Sequence, residues 1–500
     1  MTALLLLALV AADPPKPPLD KNGQPDFEAG LNDVLSKGVT PEKNANALLW
    51  QAFGPSPEGG DPMPAEFYRR LGIKEPPKNG NYFVDQTKFA RDGLKLPQDQ
   101  INTFHENQGK ASRTPWTANE YPQLAAWLTA NDKPLLLVTE AVKRSHYYNP
   151  LVSRREGNKA GSLIGVLLPS VQKCRELVAA LSARAMLRVG EKKYDAAWED
   201  LMTCHRLGRH LSHGGTLIEG LVGIAIEAIA ANSTLAFLEK ADLNSAQLRD
   251  KLKDLQNLPK PSPMADKIDT GERYMYADCA QMLKTGGPAA LGGIAGEAGG
   301  NAPKLTPEQQ KAWANMDWSP IVVDGNKWYD RMSAAMRLPT RAERHAAMDK
   351  IDAELKELTK NAKTLEQLAM FGKGPPDKAV VKAISDILIG MLLPAVRKVQ
   401  EAEDRNTQTQ QNLQVAFALA IFKQDTGRYP AELGELAPKY LPAVPGDVFT
   451  GKPLVYRVEG TGYVFYSFGM NGKDDNGQWY DDEPRGDDIR VRMPIRQPKP

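Results

Sequence analysis

Seventeen residues from Val380 to Val396 restrict the fold more than any other stretch, because they are too apolar to stay in water. Ile384, Ile387, Leu388, Ile389, Met391, Leu392 and Leu393 follow one another at helical spacing. A bilayer does not suit the run either. Lys382 and Asp386 sit inside it, and each costs about 2.5–3.5 kcal/mol at a membrane centre. The run therefore predicts a helix turned inward against the rest of its own chain.

Most of that chain also reads as helix. Five hundred residues exceed what one core supports, so two or three domains are expected. Thr40-Pro41-Glu42 looks like a capped helix start. Leu163 to about Ala241 is a strongly helical block. Within it, Arg184–Leu187 leads through Gly190 and Tyr194 into Ala196–Leu201, a helical hairpin of tetratricopeptide-like appearance without the 34-residue repeat. Leu217–Leu238 is nearly all apolar or small and should be a buried central helix. Its Glu219, Glu227 and Asn232 argue against a membrane span.

Residues 1–12 form an apolar core ending in Val10-Ala11-Ala12 and read as a signal peptide, followed by a Pro-rich leader over 13–24. Export to the periplasm or cell envelope is the expectation. A helical domain is expected over 25–370, with a flexible Gly/Ala-rich insertion at 284–304. A separate module is expected over 380–494. The net charge of +2, from 63 basic and 61 acidic residues, gives no electrostatic case for nucleic acid. Cys174, Cys204 and Cys279 are too few and too far apart for a disulfide framework or a CxxC metal site. They read as buried free thiols, with Cys174–Cys204 the pair to consider if their helices are neighbours.

One internal echo stands out. Leu163–Lys173 (LIGVLLPSVQK) matches Leu388–Lys398 (LIGMLLPAVRK) at a constant offset, and each copy runs on into a long helix and a Lys/Arg-Tyr turn. Pro169 and Pro394 should each kink or start a helix. Two related helical units packed together is the structural expectation.

After the second helix come Thr426-Gly427-Arg428-Tyr429-Pro430, Leu441–Tyr456 (LPAVPGDVFTGKPLVY) and Tyr466-Ser467-Phe468-Gly469-Met470-Asn471-Gly472. In this order they resemble the NGRYP turn, the LP…DPWGxPYxY segment and the YSLGADG segment of the major pseudopilin of type II secretion systems. The resemblance implies an apolar helix, a polar helix, a short antiparallel sheet and a calcium loop. The residues read alone agree: Leu454–Val458 and Tyr463–Phe468 form a hairpin, and Ile489–Met493 a third, one-sided strand. A fibre subunit, however, carries its apolar helix at the mature N-terminus, and here that helix is internal. The module reads as reused, not polymerised. The expected fold is mainly α, with a small C-terminal α+β pseudopilin-like module holding a three- to four-stranded antiparallel sheet.

Asn471–Asp488 contains seven acidic residues against Lys473 and Arg485, a density of oxygen donors that suits calcium. Asp474-x-Asn476-Gly477 with Glu483 echoes an EF-hand loop, but Gly472 stands where the first Asp belongs. By the pseudopilin resemblance the ligands would be Asn471 and Asp488, with Asp474 or Asp475 added, in a structural Ca2+ site. A solvated acidic turn is the plain alternative. Cys204, His205, His210 and His213 spread too widely around a helix to hold one ion, and the three histidines read as surface or capping residues. Trp313, Trp318 and Trp328 read as core anchors, otherwise as a recognition patch. No nucleophile elbow, P-loop, dinucleotide fingerprint or HExxH motif occurs. The expectation is an exported, non-enzymatic binding or assembly protein with a protein partner in the cell envelope. The alternative is a hydrolase with a carboxylate-based site in the helical domain.

Overall fold

The computed structural model describes residues 17–154, 162–166, 168–290, 294, 305–361, 378–393 and 396–495. Residues 1–12, expected to be a signal peptide, most of the 284–304 stretch and Pro394 lie outside them. Helix dominates, as expected. Helices of seven residues or more are α1 (Phe27–Leu35), α2 (Ala45–Phe53), α3 (Ala65–Leu71), α4 (Gln98–Ala111), α5 (Pro122–Ala130), α6 (Asp132–Ala141), α7 (Pro169–Gly190) and α8 (Tyr194–Ser212). They continue with α9 (Leu217–Lys240), α10 (Ser245–Gln256), α11 (Arg273–Gly286), α12 (Pro307–Ala314), α13 (Ser319–Met336), α14 (Arg341–Asn361), α15 (Lys378–Leu392) and α16 (Val396–Thr426). Strands β1 (Val455–Glu459), β2 (Gly462–Ser467) and β3 (Ile489–Met493) form an antiparallel sheet in the order β1-β2-β3.

The chain divides into two compact units that interleave in sequence. One takes the described residues of 1–37, 151–167 and 265–397; the other takes 38–150, 168–264 and 398–500. The boundary expected near residue 370–380 is therefore not where the units part. The sheet and most of α16 share a unit with α2–α10, while α15 belongs to the other. The apolar faces explain this. Phe417, Leu419 and Ile421 of α16, with Phe465 of β2, belong to the same buried core as Leu177, Leu181, Leu201 and Phe237.

In the first unit α15 packs on α13 and α14, and Ile384, Leu388 and Ile389 are buried. The inward-facing helix is thus observed. Trp313 and Trp318 are buried edge-to-face, their indole N–H groups donating to Leu283 O and Trp313 O. Trp328 is half-buried beneath Arg331.

In the second unit α7 and α8 form the expected hairpin. Buried Asp200 accepts from both Arg184 and Arg188 across it, so removal of the carboxylate would take the main partner from buried Arg184 and half-buried Arg188. The central helix α9 crosses both. Its start is a capping box, Thr216 with Glu219. By length and composition two stretches could cross a membrane, Leu217–Lys240 and a window within Lys378–Thr426, and 56% and 50% of those windows are buried inside the protein. The three cysteines are buried and free. The echoed segments differ locally: Leu163–Gly165 is a 3-10 turn, Leu388–Leu392 is α-helix. Pro169 does start a helix.

Candidate metal centre

The site sits where the sheet meets α16. That helix carries Gln400, Asp404, Gln408 and Asn412 at four-residue spacing, all buried, one stripe down a single face. Two of them hold the β unit in place. Gln408 Oε1 accepts from Val448 N (2.8 Å), and Asn412 Nδ2 donates to Ile489 O (2.9 Å). Asp447 adds a buried carboxylate that accepts from Phe449 N (2.7 Å) and Phe468 N (2.8 Å). Ser467 pairs with Ile489 across the β2–β3 ladder, which brings the two ends of the acidic loop side by side.

Within that loop, one oxygen from each of Asp475, Asp487 and Asp488 lies within 4.8 Å of the other two. Asp475 Oδ2 accepts from Asp487 N (3.0 Å) and Asn471 Nδ2 (2.9 Å). Asp487 Oδ2 accepts from Asn471 N (2.9 Å). Asp488 is fully buried; its Oδ2 accepts from Gly477 N (2.7 Å), while among the described residues its Oδ1 has no hydrogen-bond partner, nor has Oδ1 of Asp487. Two glycines make room for this. A Cβ on Gly469, at φ +66°, would lie 2.1 Å from Asp487 O, and one on Gly486 would lie 2.7 Å from Asp475 Cβ.

The electrostatics follow from the crowding. Burial pushes the Asp488 carboxyl up to about 6, the Gly477 N–H opposes it, and the charges of Asp475 and Asp474 add to the rise. Burial also raises Asp487. Asp475 is held low by the Asp487 N–H and the Asn471 side chain. A divalent cation would remove the repulsion and supply the partner that a buried anionic oxygen lacks.

Of the four residues expected from the sequence, the fold brings Asp475 and Asp488 together and puts Asn471 in contact with both Asp475 and Asp487. Asp474 turns away: its Oδ1 accepts from Tyr466 OH (3.0 Å) and Asn476 N (2.8 Å). Glu483 is exposed, so the EF-hand register is not formed. Asp487 joins unexpectedly. Neighbours in a strand point to opposite faces, which favours choosing one of the Asp487-Asp488 pair. The strand begins only at Ile489, however, and both side chains converge before it.

Other groups take different roles. His205 and His210 are buried in the core, not at the surface, with Nε2 against Thr234 Oγ1 and Val142 O. Burial pushes them down to about 3 and about 4. The buried carboxylates Glu28 and Asp278 are committed to structure. Glu28 accepts from Ser153 N and Oγ, and Asp278 from Leu163 N and Ser162 Oγ. Comparison with protein-family models, with curated proteins and with solved structures finds no match for this chain.

Proposed function

We propose that this is an exported, non-enzymatic binding or assembly protein of the cell envelope, with a C-terminal pseudopilin-like module clamped by a structural Ca2+ ion. The observation that carries the reading is the buried Asp488 carboxylate, one oxygen partnerless, set against Asp475 and Asp487. Hard oxygen donors of this kind suit calcium, which takes six to eight of them. Asp475, Asp487 and Asp488 would hold the ion, with Asn471 beside them. Its role is to tie the 471–488 loop to the first residue of β3, a clamp and not a reaction centre. The apolar helices α9 and α15 serve as packing elements of the protein, not as membrane spans. The signal-like start and the order of the pseudopilin-like segments support the envelope setting.

The test is thermal melting of the full chain in chelator and in calcium. At a hundred times its Kd the ion adds about 2.7 kcal/mol of stability, a rise of several degrees. Asp488→Asn should abolish the rise, and Asp475→Asn should weaken it. An unchanged melting temperature on chelation ends the calcium assignment. Cell fractionation tests the setting separately, since a chain retained in the cytoplasm with residues 1–12 intact would refute export.

A further inference from the structure

The second unit holds another site of the opposite sign, unrelated to the calcium reading. Beside the end of α8 is a cavity of about 510 Å3 whose lining includes Lys143, Arg144, Arg206, Arg209, His210 and His213, and no acidic side chain among the described residues. That volume lies within the range of small-ligand pockets.

The cations there are unequally compensated. Lys143 pairs with Glu140 (2.7 Å) and Glu199 (3.6 Å), and Arg209 with buried Glu227 (2.6 Å). Arg144 Nη1 donates to the uncharged carbonyls of Pro41 (2.7 Å) and Asn44 (3.0 Å), and Glu42 acts on it as a counter-charge without a hydrogen bond among the described residues. Arg206, half-buried, makes no hydrogen bond or ion pair with a described residue. Attraction to the C-terminal dipole of α8 accounts for part of this clustering. It does not account for all. The carbonyls of Arg209, His210 and Leu211 are taken by Ser212 Oγ, His213 N and Gly214 N, and Lys143 and Arg144 come from the segment after α6.

We propose that this cavity binds a small oxyanion ligand, a phosphate or carboxylate group gripped by the guanidinium forks of Arg144 and Arg206. Arginine presents paired N–H donors that match such groups. The surrounding field fits: besides burial, His213, Arg206 and His146 all push His210 down, and a bound anion would act against them.

Inorganic phosphate and citrate are the probes, titrated calorimetrically into the full chain against sodium chloride of matched ionic strength. Saturable binding of phosphate, citrate or both is expected, with none for chloride. A response to phosphate alone identifies a phosphoryl ligand, and one to citrate alone a carboxylate. Arg206→Gln should lose tenfold or more in affinity and Arg206→Lys less. Without anion, Arg206→Gln should melt at or above the wild-type temperature, because an uncompensated charge has gone. Absence of binding, equal binding by Arg206→Gln, a chloride response of the same size, or a lowered melting temperature of Arg206→Gln without anion each overturns the proposal.

Discussion

Burial and the neighbouring Asp475 and Asp474 hold the Asp488 carboxyl at about 6, against 3.8 for an unperturbed group. Between those values the folded chain keeps a proton that the unfolded chain has lost. The contribution of Asp488 to stability in chelator therefore falls as pH rises from about 4 to about 6 and stays lower above. Asp278, also raised to about 6 by burial, contributes in the same direction, and the buried His205 and His210, held down to about 3 and about 4, in the opposite one, so the contrast between wild type and Asp488→Asn isolates the site. Calcium must displace the proton, and its affinity should climb over the same window. Urea melts at pH 4.5 and pH 7 with and without calcium check both; identical pH profiles for wild type and Asp488→Asn would count against the site. At this scale the acidic density of 471–488 was legible, and the pseudopilin resemblance pointed within it to Asn471 and Asp488, with Asp474 or Asp475 added. Asp487 was not, because the convergence of two adjacent side chains depends on a backbone that has not yet entered the sheet.

Among the elements, the crossing of α8 and α9 is set by Gly208 and Gly223. A Cβ on Gly223 would lie 2.8 Å from Gly208 O and 3.1 Å from Ser212 N, and one on Gly208 would lie 3.0 Å from Gly223 O. Backbone cannot give way as a side chain can. Gly223→Ala should cost about 1–3 kcal/mol through overpacking, whereas Gly109→Ala, on an exposed turn of α4 with nothing within 4 Å, should gain about 0.5–1 kcal/mol. Denaturant titration of the pair is the measurement, and a neutral Gly223→Ala would remove the close crossing. The hairpin α7–α8 and the apolar α9 were readable from periodicity. The stripe Gln400, Asp404, Gln408 and Asn412 was not. Polar residues four apart read as a solvated face, yet here they are buried, and Gln408 and Asn412 bond the backbone of the β unit.

At the scale of the whole molecule, the C-terminal module does not stand alone. Phe417 of α16 packs its ring 5.8 Å from Trp198 of α8. Asp425 accepts from Ser245 and Arg249 of α10, and Ile495 N donates to Glu239 of α9. Residues 398–500 expressed by themselves should therefore lack a cooperative melt; a two-state transition with native helical content would show an autonomous module. Chain order suggested a tail appended to a helical domain, because periodicity reports which face of an element is apolar but not which partner covers it. Composition and short-range pattern were enough to set the helical class, the inward-facing α15, the hairpin with its third strand, and the acid-rich loop, since each depends on residues within one or two turns. Which elements share a core, which of seven acids meet, and where Arg206 is left without an ion-pair partner among the described residues depend on contacts between segments up to hundreds of residues apart, and only packing in three dimensions decided them.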